Sequence, residues 1–153
     1  MELIKDKEFG GERPLFESHN LHLDNVVIRE GESAIKECSN IKATNCRFEG
    51  NYPFWHVHGF VIDRCHFDVG GRSALWYSDH LRMTDTHIDA PKMFREMHDI
   101  DIENVAMPMR RSGDARAYVL RTCGCKEERI LSCSAATSKS TAWCLTLNTC
   151  SNM

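Results

Sequence analysis

A pattern of alternating apolar and polar positions recurs along most of this chain. Five segments carry it, and each continues through a polar residue into a second short alternation. The segments begin at Leu21, Ile41, Phe60, Leu81 and Ile100, at intervals of 20, 19, 21 and 19 residues. Alternation with a period of two is typical of half-buried strands. A constant period near 20 residues is typical of supersecondary units that stack into a solenoid.

Each repeat supplies three apolar columns, which predict three strands in each turn. The first strand is followed by residues that include Asn and Asp, which tolerate the left-handed conformation of a sharp corner: Asn25, Asn45, Arg64, Asp85 and Asn104. A second short strand ends on Ile28, Phe48, Phe67, Ile88 and Met107. A third column lies six residues before each segment, at Leu15, Ile35, Phe54, Leu75 and Phe94.

This arrangement predicts an all-β protein, a single-stranded parallel β-helix of about five coils of roughly 20 residues. An amphipathic helix would need apolar residues at i, i+3 and i+4 over ten or more positions, and no window sustains that spacing. The leucine-rich repeat has a similar period, but its signature is absent from the sequence.

Five short motifs resemble the repeat signatures of domain-of-unknown-function family three-seven-three-seven. They are FGGERPL from Phe9, EGESAIKE from Glu30, YPFW from Tyr52, ALWYS from Ala74 and PKMFRE from Pro91. The resemblance covers about residues 2–108. It implies a bacterial protein with a right-handed, pectin-lyase-like β-helix, and it implies no established activity.

Three segments are expected along the chain. Residues 1–20 form an N-terminal cap and first partial coil, residues 21–107 form the β-helix, and residues 108–153 form an irregular Cys-, Arg- and Ser-rich tail. Residues 1–107 carry a net charge of −7 and the remainder +4, and all eight His precede residue 108. The tail is interpreted either as an out-of-frame reading of the gene or as a native segment that is irregular or disordered.

Net charge and hydrophobicity bear on the expected binding partners and on the cellular location. The net charge of −3 gives no reason to expect a nucleic-acid partner. The N-terminus is mostly charged, and no stretch reaches the roughly 18 apolar residues of a membrane span. We therefore expect no membrane partner and a cytoplasmic location.

The cysteines favour free thiols over a metal site. Cys46 and Cys65 occupy one column, so they are expected to stack as reduced, apolar side chains. In the tail, Cys123 and Cys125 have one residue between them, the later spacings are irregular, and no His accompanies them. We predict no metal site and no cofactor.

An outward aromatic column is the favoured ligand site. If Phe54 and Leu75 point inward, alternation turns Trp55 and Trp76 outward in the column Phe16, Lys36, Trp55, Trp76 and Arg95. Such a surface can hold sugar rings, with the candidate binding residues Trp55, Trp76, Tyr77, His56, Glu37, Arg95 and Glu96. The alternative is that the aromatic rings stabilise the coils or are covered by a partner subunit.

A second outward strip offers acid-base groups. Arg47, His66 and His87 lie in successive coils, and we expect the column of Asp24, Asp63 and Glu103 beside them. Such groups could serve a hydrolase or a lyase, but solvated cross-strand pairs have the same pattern. No catalytic residue is assigned.

Three functions therefore stay open. The first is a non-catalytic carbohydrate- or polymer-binding β-helix. The second is a carbohydrate-active enzyme, either a polysaccharide lyase or a glycoside hydrolase. The third is a structural solenoid that associates with copies of itself through an unpaired edge on its last coil.

Overall fold

The structure of the chain is a computed structural model, and it describes residues 1–108 and the strands Ala117–Arg121 and Arg129–Ile130. The strands in chain order are β1 (Glu2–Lys5), β2 (Glu8–Glu12), β3 (His19–Asp24), β4 (Val27–Glu32), β5 (Ile35–Lys36), β6 (Ser39–Thr44), β7 (Arg47–Phe48), β8 (Phe54–Trp55), β9 (His58–Asp63), β10 (His66–Phe67), β11 (Leu75–Trp76), β12 (Asp79–Thr84), β13 (His87–Ile88), β14 (Phe94–Arg95), β15 (Met97–Pro108), β16 (Ala117–Arg121) and β17 (Arg129–Ile130). In these residues no helix is long and apolar enough to cross a membrane.

The strands form three parallel faces of a β-solenoid with about six turns. The first face has the order β1, β3, β6, β9, β12 and β15. The second has the order β2, β4, β7, β10, β13 and the end of β15, and the third has β5, β8, β11 and β14. The predicted parallel β-helix is therefore confirmed.

The register of the first face matches the apolar columns of the sequence. Leu21 pairs with Ile41, Ile41 with Phe60, Phe60 with Leu81, and Leu81 with Ile100. The structure adds one turn before these five, because β1 pairs with β3. In that turn Glu2 pairs with Leu21, so the apolar alternation that marks the later turns is interrupted.

The core is a continuous stack of inward side chains between the three faces. Phe48, Phe54 and Phe67 are fully buried. The Phe48 and Phe67 rings stack with centroids 4.7 Å apart, and Phe54 meets the edge of Phe48 at 5.0 Å. Burial of each such ring contributes about 1.5–3 kcal/mol relative to exposure, so this stack supplies much of the stabilisation of the middle turns.

Left-handed residues form the corners of each turn. The predicted column Asn25, Asn45, Arg64, Asp85 and Asn104 has φ between 47° and 55°, which confirms it. The sequence did not reveal three further left-handed columns. They contain Arg13, Ser33, Tyr52, Ser73 and Lys92, then Glu17, Glu37, His56, Tyr77 and Glu96, and then Asn20, Asn40, His80 and Asp99. None of these residues is β-branched, in agreement with the high cost of this conformation for branched side chains.

Buried thiols and hydroxyls satisfy backbone groups just after the corners. The Cys46 N–H donates to Cys65 Sγ at 3.4 Å, and the Cys65 N–H donates to Thr86 Oγ1 at 3.3 Å. Cys46 and Cys65 are free thiols, as predicted. Burial and the contact with Cys46 raise the pKa of the Cys65 thiol well above its ordinary value. These side chains act as internal hydrogen-bonding groups as well as apolar filling.

The edge of the last turn carries two antiparallel strands. β16 pairs with β15 along Glu103–Pro108, and β17 pairs with Met97 and His98. The prediction of an unpaired edge on the last coil is therefore wrong along these parts of β15. The remaining tail, with its five cysteines, lies outside the described residues, so the irregular-tail and homo-oligomer interpretations stay predictions.

Close approach of two turns at Gly31 gives a test of the fold. A Cβ on Gly31 would lie 2.0 Å from the Gly11 carbonyl oxygen. Because backbone must then shift, we expect Gly31→Ala to lower the free energy of unfolding by about 1–3 kcal/mol, measured by urea denaturation. Gly10→Ala is the matched control, since its nearest contact would be 3.4 Å from Arg29 Cβ. Equal stability of the two variants would contradict this packing.

Candidate functional site: an aromatic strip on the third face

The third face aligns the predicted outward column across successive turns. Lys36 pairs with Trp55, Trp55 with Trp76, and Trp76 with Arg95. The preceding residues Ile35, Phe54, Leu75 and Phe94 are buried in the core. Strand alternation therefore turns the indoles away from the core, where both are half-buried.

Four aromatic side chains form what we call the aromatic strip: Tyr52, Trp55, Trp76 and Tyr77. The Trp55 and Trp76 ring centroids are 6.1 Å apart with an interplanar angle of 58°. Tyr52 lies 4.8 Å from Trp55 and 5.7 Å from Trp76. Because the rings are tilted, they form a ridged surface.

Sequence reasoning missed Tyr52. It occupies a left-handed corner with φ 49° and precedes the third-face strand that carries Trp55. Only the course of the corner brings its ring back over the indoles. The YPFW motif was visible in the sequence, but it gave no sign of this direction.

Two cation–π contacts and one hydrogen bond hold the indole rings of Trp55 and Trp76 in place. Lys36 Nζ lies 5.4 Å from the Trp55 ring centroid, and Arg95 Cζ lies 4.9 Å from that of Trp76. Such contacts contribute about 0.5–1 kcal/mol at exposed sites. The Trp76 Nε1–H donates to the Lys92 carbonyl at 2.9 Å. The aromatic strip is thus ordered by contacts within the protein.

Polar groups border the aromatic strip at the corner that leads to the first face. His56 Nδ1 is 3.1 Å from Glu37 Oε1, and the His56 ring lies 5.4 Å from that of Tyr77. Arg95 Nε is 3.5 Å from Glu96 Oε1. The structure therefore brings all seven predicted site residues onto one surface, at successive turns of the solenoid.

A ladder of ion pairs runs along the second face. Arg47 Nε lies 2.7 Å from Asp68 Oδ2, and His66 Nε2 lies 2.9 Å from Asp89 Oδ2. The acidic partners lie two residues after the cation column, because residues two apart point to the same side of a strand. Asp63, expected beside this column, instead contacts Arg64 and Thr84.

A second histidine group lies on the first face. His58 Nδ1 is 2.8 Å from Asp79 Oδ2, and His80 Nδ1 is 2.9 Å from Asp79 Oδ1. His80 Nε2 also lies 3.2 Å from Asp99 Oδ2. The hydrogen bond with Asp79 raises the pKa of His80. Partial burial raises the pKa of Asp79, but hydrogen bonds with His80 and His58 outweigh it and leave this pKa below its ordinary value.

Comparison with known protein families identifies the family of this chain. Residues 2–114 match the family described as "Protein of unknown function (DUF3737)". The chain belongs to this family. The match confirms the resemblance seen in the repeat motifs and extends it slightly beyond Pro108. No curated protein and no solved structure matches the chain. Because the function of the DUF3737 family is unknown, activity must be argued from the side chains.

The Asp79 and His80 contact gives a pH test. The raised pKa of His80 means that its contribution is present below about pH 6.5 and is lost as the pH rises through the folded-state pKa. The lowered pKa of Asp79 means that its contribution is present above about pH 3.9 and is lost at lower pH. Because His80 is exposed, the effect should not exceed about 1 kcal/mol.

Urea denaturation of the full chain and of His80→Gln between pH 5 and pH 8 checks this prediction. The stability difference between the two proteins should be largest near pH 5.5 and should shrink as the pH rises. His19→Gln is the control, because the His19 ring contacts the Ser39 hydroxyl. A stability difference that grows with pH would contradict the assignment.

Proposed function

We propose that the chain is a non-catalytic carbohydrate-binding solenoid whose aromatic strip takes the sugar rings of an extended glycan. The observation that carries the proposal is the alignment of half-exposed aromatic rings on successive turns. Trp55 and Trp76 pair directly in the sheet, and Tyr52 and Tyr77 lie on either side. Aromatic ring faces can pack against the apolar C–H faces of sugars.

Polar groups beside the aromatic strip support the proposal, because sugar hydroxyls need hydrogen-bonding partners. Glu37 and His56 are about two-fifths exposed, so their polar atoms are accessible to a ligand. Arg95 and Glu96 supply a donor and an acceptor at the other end of the surface. A mostly aromatic surface with a few polar groups is typical of small-ligand sites, and here it extends along the solenoid axis.

The length of the surface from Lys36 to Arg95 favours an oligosaccharide ligand over a single sugar ring. Lys36 and Arg95 are separated by three turn-to-turn steps. At about 4.8 Å for each step, the surface is about 14 Å long. An extended chain lying parallel to the axis could therefore contact several turns at once.

The spacing of the carboxylates favours binding over hydrolysis. Glu37 and Glu96 occupy the same column three turns apart. Their separation of about 14 Å exceeds the roughly 5–9.5 Å between the paired carboxyl groups of most glycosidases. A hydrolase that uses these two residues as its acidic pair is therefore disfavoured.

Loss of the indoles gives the test of this proposal. The full chain is screened on a glycan array, and the best ligand is titrated by calorimetry. We expect Trp55→Ala and Trp76→Ala each to weaken binding by about 10- to 100-fold, or about 1.4–2.8 kcal/mol. Phe16→Ala is the matched control: Phe16 belongs to the same column, is 39% exposed and packs near Arg13.

Two further measurements separate binding from a purely structural role. Circular dichroism shows whether each variant is folded. Arg95→Gln removes the guanidinium that lies over the Trp76 ring and keeps all four aromatic side chains, so it should weaken glycan binding with little loss of fold. Absence of glycan binding by the parent chain, or full binding by the Trp55→Ala/Trp76→Ala variant, would overturn the proposal. The aromatic rings would then be assigned to coil stabilisation.

A further inference from the structure

The ion-pair ladder of the second face changes its chemistry halfway along the solenoid. Arg29 lies between Glu8 and Glu49, and Arg47 lies between Glu49 and Asp68. In the next two turns His66 and His87 occupy the register of Arg47, whereas Arg29 lies two residues after Val27, which pairs with Arg47. Arginine is a permanent donor, whereas imidazole nitrogen can also ligate metal ions.

Three side chains converge in these turns. His66 Nε2 is 2.9 Å from Asp89 Oδ2, and His87 Nε2 is 3.2 Å from Asp89 Oδ1. The two imidazole centroids are 4.9 Å apart, with an interplanar angle of 76°. One ligand atom from each residue can be chosen so that all three lie within 4.8 Å of one another. Both imidazoles therefore direct the same nitrogen, Nε2, toward one shared carboxylate.

We propose that His66, His87 and Asp89 bind one divalent transition-metal ion, with Asp68 as a fourth ligand. Asp68 Oδ1 is 3.3 Å from His66 Nε2. A tetrahedral ion with bonds of about 2.0–2.1 Å holds its ligand atoms about 3.3 Å apart. The distance from Asp68 to His66 and the three convergent ligand atoms are compatible with such an ion. Two imidazoles with carboxylates suit Zn²⁺, Co²⁺, Ni²⁺ and Fe²⁺ better than Ca²⁺ or Mg²⁺.

The neighbouring groups hold the ligands in place. Arg47 Nε donates to Asp68 Oδ2 at 2.7 Å, which leaves Oδ1 on the side of His66. Phe67 and Ile88, each next to a proposed histidine ligand, are fully buried in the core. Hydrogen bonds to ligating carboxylates and rigid elements that carry the ligands are both typical of metal sites.

The site differs from the other histidine group of the solenoid. Within residues 1–108, His66, His87 and Asp89 are the group whose potential ligand atoms all lie within 4.8 Å. His58 and His80 also share one carboxylate, that of Asp79, but they do not meet this criterion. The sequence predicted no metal site anywhere in the chain, and this proposal departs from that prediction.

The test is calorimetric titration of the chelator-treated full chain with Zn²⁺. The five tail cysteines (Cys123, Cys125, Cys133, Cys144 and Cys150) are replaced by serine in every protein, so that no tail thiolate contributes. We expect one ion per chain. Removal of a residue that only supports a metal ligand typically lowers metal affinity by roughly 10- to 100-fold. Because His66→Gln/His87→Gln removes two direct ligands, its loss of Zn²⁺ affinity should exceed that range. His58→Gln/His80→Gln is the matched control and should keep the parent affinity.

A second readout follows the fold. Zn²⁺ should raise the unfolding temperature of the parent and of the His58→Gln/His80→Gln control, because a ligand that binds the native state stabilises it. If circular dichroism shows His66→Gln/His87→Gln to be unfolded, Asp89→Asn takes its place. Absence of saturable binding by the parent, or parent-like affinity in folded His66→Gln/His87→Gln or Asp89→Asn, would overturn the proposal.

Discussion

Each turn of this solenoid must return the chain to the same register after 19 to 21 residues, and every surface of the protein depends on that closure. Non-glycine residues in the left-handed conformation make it possible, at a cost of roughly 1–2 kcal/mol each. Hydrogen bonds between turns continue through the corners: the Asn45 N–H donates to the Asp63 carbonyl at 3.0 Å, and the Arg64 N–H to the Thr84 carbonyl at 3.1 Å. These bonds and the buried apolar columns offset the cost of the corners.

Because the turns stack in register, each face of the solenoid can carry its own set of outward side chains. A residue in an outward column meets the equivalent residue of the next turn, as Trp55 meets Trp76 and His66 meets His87. One outward column can therefore be aromatic while another carries histidines, and the core between them is unchanged. Membership of the DUF3737 family does not by itself explain these columns, because the description of the family assigns no function.

The period-two alternation was enough to predict the three faces and the inward columns, because burial imposes it directly. It failed in the first turn, where Glu2 interrupts the apolar column beside Leu21. The seven predicted site residues do lie together, since they occupy neighbouring columns. Tyr52 and the convergence of His66 on Asp89 could not be predicted. They depend on the path of a corner and on contacts between one turn and the carboxylate of the next.

Limited digestion of the full chain with trypsin, followed by mass spectrometry, tests the central claim that the corners are held by the stack. Arg64 and Lys92 are exposed, left-handed corner residues, and trypsin cleaves after both residue types. Because their neighbouring backbone is bonded between turns, both sites should stay uncut under native conditions. Cleavage should follow only upon unfolding in urea. Rapid native cleavage after Arg64 or Lys92 would contradict a continuous solenoid through these turns.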